Sequence, residues 1–209
     1  MRQSFIVLLA LILFGGACRK DPNFDQLSSN FVVVTNVDQN ANFANYKTFY
    51  ISDTLTYLSN TSTDTILFDN NAKQIVAAIK QNMAARGFTF VPKSAQPDLG
   101  INAGIVKNTN AGYVYPGWWG GYPGWWDPWY WGWPSYPYYY PWTVAYVITS
   151  GSVIVDIVDL KNAARTKIID VLWSDVSSGA LGSDINGNLQ RGINSINQAF
   201  AQSPYIKTN

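Results

Sequence analysis

Residues 112–142 form a run of aromatic, proline and glycine residues that limits what this part of the chain can fold into. The run contains eight of the nine tryptophans, eight of the thirteen tyrosines, six prolines and six glycines, and Asp127 is its single charge. Prolines recur every three to seven residues, which excludes a continuous helix or a central strand. We expect an extended or turn-rich loop that lies outside the sheet.

Tryptophan and tyrosine combine a large apolar face with a polar tip, and this leaves three interpretations of the run open. It contacts the headgroup layer of a membrane, it stacks on sugar rings or on a protein partner, or it folds over the apolar surface of its own domain. Nucleic-acid stacking is disfavoured because residues 108–160 contain no lysine or arginine. The predicted contact residues are Trp118, Trp119, Trp125, Trp126, Trp129, Trp131 and Trp133.

The N-terminus has the order of a bacterial export signal. Arg2 precedes an unbroken apolar segment at residues 5–14, and three small residues then lead to Cys18. The apolar segment is too short to cross a bilayer, which takes about 20 residues. Small residues directly before a cysteine resemble a lipobox. We therefore expect a signal peptide at 1–17, acylation of Cys18, a polar tether at 18–30, and the outer membrane as location in preference to the inner one. A plain secretory signal is the alternative.

The composition excludes several kinds of chemistry. Histidine is absent and Cys18 is the single cysteine, so a Ser–His–Asp site, most zinc or copper sites and an intrachain disulfide are excluded. The absence of histidine and of a second cysteine does not exclude carboxylate catalysis or an all-oxygen metal site. Charged residues make up 13% of the chain, about half the usual fraction, which also disfavours nucleic acid as a partner. We expect neither a cofactor nor a metal.

The aspartates give no pair that indicates a catalytic site. Asp156 and Asp159 are three positions apart in a predicted strand, so they should point to opposite faces and not share a substrate. Asp156 is expected at an edge or on a solvent face. Asp170 and Asp175 are expected on a solvent face or in a turn.

Hydrophobic periodicity predicts the main elements. Apolar and β-branched runs predict strands at 31–37, 45–52, 88–91, 98–107, 143–149, 151–160 and 166–175. The last two are expected to pair as an antiparallel hairpin, with a turn at 161–165. Apolar stripes at helical spacing predict helices at 69–86 and 185–202, and 55–65 is expected to be a loop. These elements favour a two-layer α+β domain over residues 31–206, with a mixed, mostly antiparallel sheet and two amphipathic helices on one face.

Several of these segments resemble a known family. They are NYKTFY at 45–50, PDL at 97–99, GSVIVDIVDL at 151–160 and the return strand that contains Leu172 and Trp173. Together with a final helix that stops at a proline, they are similar to the bacterial lipoprotein family called domain of unknown function 4136 (DUF4136). A Gly/Trp/Tyr-rich insert is familiar in that family. The resemblance covers about residues 30–206 and implies a lipoprotein with an α+β fold, and it carries over no catalytic residue and no reaction.

These patterns predict a membrane-anchored envelope lipoprotein with a non-catalytic structural or binding role, whose contacts are made by the aromatic run. A glycan-binding module that uses the tryptophans is the first alternative, and a carboxylate-dependent hydrolase is the second. The expected partners are a lipid bilayer, reached through the N-terminal acyl chains, and a glycan or an envelope protein.

Overall fold

The computed structural model of the protein describes residues 31–58, 66–67, 69–106, 112–117, 126–182 and 185–208. The strands are β1 (Val32–Val37), β2 (Thr48–Ile51), β3 (Leu55–Leu58), β4 (Ile66–Leu67), β5 (Thr89–Phe90), β6 (Leu99–Val106), β7 (Gly112–Val114), β8 (Tyr138–Tyr139), β9 (Tyr146–Ile148), β10 (Val153–Asp159) and β11 (Ile169–Ser178). The α-helices are α1 (Asn70–Ala85), α2 (Ala163–Thr166) and α3 (Ile185–Ala201), and the 3₁₀-helices are Phe43–Asn45, Lys93–Ala95 and Pro128–Trp131.

Nine strands form one mixed sheet in the order β1-β11-β10-β6-β2-β5, with β3, β4 and β8 paired beside this path. The pairs along β1, β11, β10 and β6 are antiparallel, whereas β2 pairs in parallel with β6 and with β5. The predicted hairpin of β10 and β11 is present, and the predicted α+β class with a mixed sheet is confirmed. Strands β6 and β10 are buried along their whole length, because both faces of the sheet are covered.

The two long helices cover one of these faces. Asp69 caps α1 by accepting a hydrogen bond of 2.7 Å from the backbone N–H of Ala72. The apolar stripe of α1, represented by Ile75, faces the sheet, and α3 packs beside α1 with Ile196 and Phe200 buried. These residues belong to the largest core cluster of the domain.

Two segments differ from the prediction. Leu55–Leu58, expected in a loop, forms β3 because it pairs in parallel with the far end of β6, and Leu55 and Leu58 are buried. In the aromatic run, β7 pairs with β9, and β8 pairs in parallel with β11 of the main sheet. The expectation that the run lies wholly outside the sheet is therefore wrong at Tyr138–Tyr139, since Pro137 and Pro141 flank this short strand without interrupting it.

The described part of the aromatic run, residues 112–117 and 126–142, is called the insert below. It lies on the sheet face opposite the long helices. Trp126 packs in one cluster with Ile154 and Val176, and Trp131 packs in another with Val158. These parts of the insert fold over the apolar surface of their own domain.

Candidate functional site

Strand β6 provides a floor for two indole rings of the insert. Gly100, Asn102 and Gly104 alternate along β6 and so point to one face of the sheet. A Cβ atom on Gly100 would lie 2.8 Å from the Trp131 ring, and one on Gly104 would lie 2.9 Å from the Trp126 ring. Such contacts are too short for a real Cβ atom, so glycine at both positions lets the rings lie against the backbone.

A row of four polar side chains crosses the middle of the same face. The strand register places Asn102, Asp156, Ser174 and Asn36 side by side on β6, β10, β11 and β1. We call these four residues the polar row. Asn102, Asp156 and Ser174 have no solvent exposure, and burying polar groups is costly unless they are hydrogen-bonded. The layer above the row therefore has to supply donors and acceptors.

The polar tips of the insert supply hydrogen-bond donors to two members of the row, Asp156 and Asn102. The Trp126 indole N–H and the Tyr140 hydroxyl each donate to Asp156 Oδ2 at 2.7 Å. The Trp131 indole N–H donates to Asn102 Oδ1 at 3.2 Å. The indoles and the phenol are thus bonded to the row and buried by the same contact.

At the Asn36 end of the row, the hydrogen-bond partners are Tyr146 and, through it, Trp142 at the end of the insert. Asn36 Nδ2 and the Trp142 indole N–H both donate to the Tyr146 hydroxyl oxygen, each at 2.8 Å. Residues 112–142 contain no phenylalanine, although the chain has ten elsewhere. This bias follows if rings that cover the row must also carry a polar atom.

Burial dominates the electrostatics of this layer. It raises the pKa of the Tyr138 and Tyr146 hydroxyls far above the usual range, and the nearby charge of Asp156 adds to the rise of both pKa values. Both phenols therefore stay protonated at neutral pH.

Two aspartates differ from the prediction. Asp156, expected at an edge or on a solvent face, is fully buried because the insert covers it. Asp175, expected on a solvent face or in a turn, is also fully buried, in register between Thr35 and Val155. Ser177 Oγ donates to both carboxylate oxygens of Asp175, at 3.1 and 3.0 Å. Burial still raises the pKa of Asp175 well above its usual value, although the Ser177 hydrogen bonds oppose the rise.

The prediction that Asp156 and Asp159 point to opposite faces is confirmed. Asp156 is bonded to the insert, whereas Asp159 Oδ2 accepts a hydrogen bond of 2.8 Å from the Tyr46 hydroxyl, whose ring belongs to the core on the helix side. Asp170 is half-buried. These acids do not converge on one point.

A cleft of about 580 Å³ opens beside the insert, where β10 ends and β6 begins. Its lining residues are Lys93, Gln96, Pro97, Asp98, Trp131, Trp133, Leu160, Lys161 and Ala164. Lys93 Nζ lies 3.8 Å from the centre of the Tyr130 ring and donates to the Tyr130 carbonyl oxygen. Partial burial lowers the pKa of Lys93.

The other two charged side chains of the cleft, Lys161 and Asp98, are engaged by the fold. Lys161 Nζ donates to the Asn45 carbonyl oxygen at 2.7 Å and lies 3.8 Å from Asp98 Oδ1. Asp98 Oδ2 accepts the backbone N–H groups of Lys47 and Thr48 at 2.7 and 3.2 Å. Asp98 is the single acid among the lining residues, and its bonds tie β6 to the start of β2. The cleft is therefore lined by two ammonium groups and one carboxylate, which leaves an excess of positive charge, and all three groups also bond the backbone.

An aromatic pair extends one wall of the cleft. Trp133 lines the cleft and stacks on Tyr136 with ring centres 5.9 Å apart and an angle of 8° between the planes. The Tyr136 hydroxyl accepts a hydrogen bond of 2.8 Å from Lys167 Nζ. A flat ring surface bordered by cations suits a ligand with an apolar ring face and a negative charge.

The cleft and the start of the described chain lie at opposite ends of the sheet. Val32 at the start of β1 pairs with Ser178 at the end of β11, next to the pair of Val153 and Ser177. Val153 is the first residue of β10, and Leu160 of the cleft follows its last residue. Seven residues of strand separate the two ends by about 20 Å.

The predicted contact tryptophans fall into three groups. Trp126 has no exposure and Trp131 is 7% exposed, so the prediction of surface contact is wrong for these two, because their indole N–H groups are bonded to the polar row. Trp129 is 70% exposed, and Trp133 is half-buried in the wall of the cleft. Trp118, Trp119, Trp125 and Cys18 lie outside the described residues.

Further rings of the insert reach the surface. Tyr115 and Tyr139 are more than half exposed, and both line a shallow groove beside Pro128, the residue before Trp129. We call Tyr115, Trp129 and Tyr139 the outer rings. Tyr113, on the ribbon of β7 and β9, is the most exposed large apolar side chain described.

The described residues contain neither a cluster of metal-ligating side chains nor a membrane-spanning helix. Among residues 31–208, apart from the stretches not described, no three His, Cys, Asp or Glu side chains lie close enough to hold a metal ion together. Within the same ranges no helix combines the length and the hydropathy needed to cross a bilayer.

The fold and the covered sheet face define an α+β domain with an aromatic insert, and comparison with known proteins places it in a family. Residues 33–205 match the family described as Domain of unknown function (DUF4136). The chain therefore belongs to the DUF4136 family, as its sequence motifs predicted.

A solved structure agrees with this assignment. The crystal structure of a DUF4136 family protein from Bacteroides thetaiotaomicron VPI-5482 is similar, with a TM-score of 0.74 and 35% identity, over 86% of this chain and 99% of that chain. A PDZ domain protein from Parabacteroides distasonis ATCC 8503 gives a TM-score of 0.41 and 18% identity, over 84% of this chain and 36% of that one, which is too low to support any inference. No curated protein matches the chain.

Proposed function

We propose that the protein is a lipid-anchored, non-catalytic binding protein of the bacterial cell envelope, in which the aromatic insert makes the contacts. The observation that carries this proposal is the division of the insert into two sets of rings. One set is buried and bonded to the polar row, and the other set, the outer rings, is exposed on that fixed base. Exposed aromatic side chains on a preorganised support are typical of binding surfaces.

The use of the acids supports a non-catalytic role over a carboxylate-dependent hydrolase. Asp156 holds the insert, Asp159 bonds Tyr46, and Asp98 bonds two backbone N–H groups. General acid or base catalysis needs a group placed to exchange a proton with a substrate. These three carboxylates are each placed to stabilise the fold.

Attachment through acylated Cys18, with the outer membrane as location, is the second part of the proposal. Metabolic labelling with a fatty-acid analogue tests it, with the wild-type chain and Cys18→Ser compared in the same cells. Label is expected in the wild type alone. Equal label in both proteins would refute the anchor.

The binding role is tested with the unacylated Cys18→Ser chain. This chain is co-sedimented with purified peptidoglycan sacculi and, separately, with vesicles of outer-membrane lipids. Saturable binding to one of the two is expected to be lost when Trp129→Ser and Tyr139→Ser are combined. Tyr205→Ser, which removes an exposed ring outside the insert, is the matched control. Binding that survives the double substitution would show that the outer rings are not the contact surface.

A glycan ligand in the cleft is the second candidate function, and the stacked Trp133–Tyr136 pair beside Lys93 and Lys161 favours it. The chemistry of the wall favours a saccharide that carries a carboxylate. Calorimetric titration with oligogalacturonate, against a neutral malto-oligosaccharide, tests the idea. Trp133→Ala should weaken binding of the acidic sugar about tenfold or more, which corresponds to about 1.4 kcal/mol, while Trp129→Ala leaves it unchanged. Equal binding of the two sugars, or an effect of Trp129→Ala alone, would count against the cleft.

A further inference from the structure

Four exposed apolar side chains lie together near the start of the described chain. Val32 and Val34 on β1 are 52% and 40% exposed, Val147 on β9 is 47% exposed, and Tyr113 on β7 is 80% exposed. We call these four residues the anchor-side patch. None of them is covered by the long helices or by the rings that pack on the polar row.

Strand pairing shows that the four residues are neighbours. Val32 pairs with Ser178, and the Ser178 hydroxyl donates to the Val147 carbonyl oxygen. Val147 lies directly opposite Tyr113 in the antiparallel ladder of β7 and β9, so both side chains project from the same side of this ribbon. Val34 is two positions along β1 from Val32 and therefore shares its face.

We propose that the anchor-side patch rests on the surface of the lipid bilayer that holds the acyl chains of Cys18. This inference rests on the proposed function, because it needs Cys18 to be acylated. Cys18 precedes Val32 by 14 positions, and a chain of that length spans at most about 50 Å. The anchor thus keeps the start of β1 within about 50 Å of the bilayer, and among the described residues the patch is exposed apolar surface at that end of the sheet.

The chemistry of the patch suits a membrane interface. Tyrosine is favoured at the headgroup level, where its ring is apolar and its hydroxyl stays wet. The patch contains no charged side chain, so its contact with lipid desolvates no charge. A single anchor also raises the local concentration of the patch at the bilayer, so a contact that is weak in solution becomes populated. With the patch on the bilayer, the cleft at the other end of β10 opens away from it.

The single cysteine of the chain makes the test direct. In the acylated protein the Cys18 thiol is blocked, so a cysteine introduced by Val147→Cys is the one site that takes a thiol-reactive fluorescent dye. Tyr205→Cys provides a matched exposed position, and contact of Tyr205 with Phe43 places it beyond the other end of β1. Each labelled protein is reconstituted in vesicles of phosphatidylethanolamine and phosphatidylglycerol that contain a lipid with a spin label near its carbonyl group.

The dye at position 147 is expected to be quenched several-fold more strongly than the dye at position 205. Combining Val32→Thr with Val34→Thr, which keeps the branched shape and adds hydroxyls, should reduce quenching at position 147. Equal quenching at the two positions, or dye–dye self-quenching at 147 that shows a second copy on the patch, would overturn the inference alone. Dye on Cys18 itself would reveal an unacylated chain and would refute the proposed anchor together with the inference.

Discussion

Substitution of Asp156 by alanine tests how the insert is held on the sheet. Asp156 Oδ2 accepts hydrogen bonds of 2.7 Å from the Trp126 indole and from the Tyr140 hydroxyl. Leaving a buried donor without its acceptor costs about 1–3 kcal/mol, so two donors give an expected loss of about 2–6 kcal/mol in the free energy of unfolding. A native protein has about 5–15 kcal/mol in total, and the loss is therefore a large part of its stability.

Urea unfolding followed by circular dichroism gives the free energy of unfolding of each variant. Tyr140→Phe keeps the ring and removes one of the two donors, so it should cost about 1–2 kcal/mol. Asp156→Asn keeps one acceptor oxygen and should fall between Tyr140→Phe and Asp156→Ala. Because Asp156 and Tyr140 are in direct contact, the double variant should lose less than the sum of the two single losses.

A small effect of Asp156→Ala on the free energy of unfolding would contradict this role of the carboxylate. Surface substitutions usually change the free energy of unfolding by at most about 0.5 kcal/mol. If Asp156→Ala falls in that range, or if its effect simply adds to that of Tyr140→Phe, the carboxylate does not hold the insert.

Three other perturbations follow from the same geometry. Gly104→Ala brings a Cβ to 2.7 Å from the Thr56 carbonyl oxygen and 2.9 Å from the Trp126 ring, and it should cost about 1–3 kcal/mol by overpacking, seen as a lower melting temperature. Gly182→Ala, whose Cβ meets the flexible end of Arg191, should not show this loss. Trp131→Phe removes the donor to the buried Asn102 and part of a buried ring, so it should cost at least about 1–3 kcal/mol, whereas Trp129→Phe at an exposed site should be neutral in the same urea assay. Burial raises the pKa of Asp175 in the folded state, so the wild-type chain should lose stability as the pH rises from about 4 through that folded pKa. Asp175→Asn should remove this slope and be the more stable protein at pH 7, and equal slopes between pH 4 and 7 would contradict the assignment.

The helices and the central hairpin could be predicted from the sequence because their signals are local. The stripe that contains Ile75 has helical spacing and lies within one element, and the apolar run at 151–160 corresponds to β10 at Val153–Asp159. Strand β3 could not be predicted in this way. Its surroundings are rich in serine and threonine, and its strand conformation depends on pairing with β6, which is distant along the chain.

The polar row could not be found from the sequence because its members come from four separate segments. The sheet register alone brings Asn36, Asn102, Asp156 and Ser174 into line. One local signal was available, since the glycines on both sides of Asn102 remove side chains from one face of a strand at the spacing that two rings require. Nothing local separates the buried tryptophans from the exposed Trp129, because their burial is decided by distance to the row.

The pairing of an aromatic insert with a polar row explains how a proline-rich segment can occupy one position on a sheet. Apolar contact alone is not directional, so rings on a uniformly apolar face would have many arrangements of similar energy. The prolines prevent the insert from using a long backbone ladder to fix its register. Directional bonds from indole and phenol groups to Asp156 and Asn102 supply that register, while the rings supply the burial. The outer rings take no part in these bonds to the row, so the same support that fixes the buried rings leaves Tyr115, Trp129 and Tyr139 exposed for contact with a ligand or a partner.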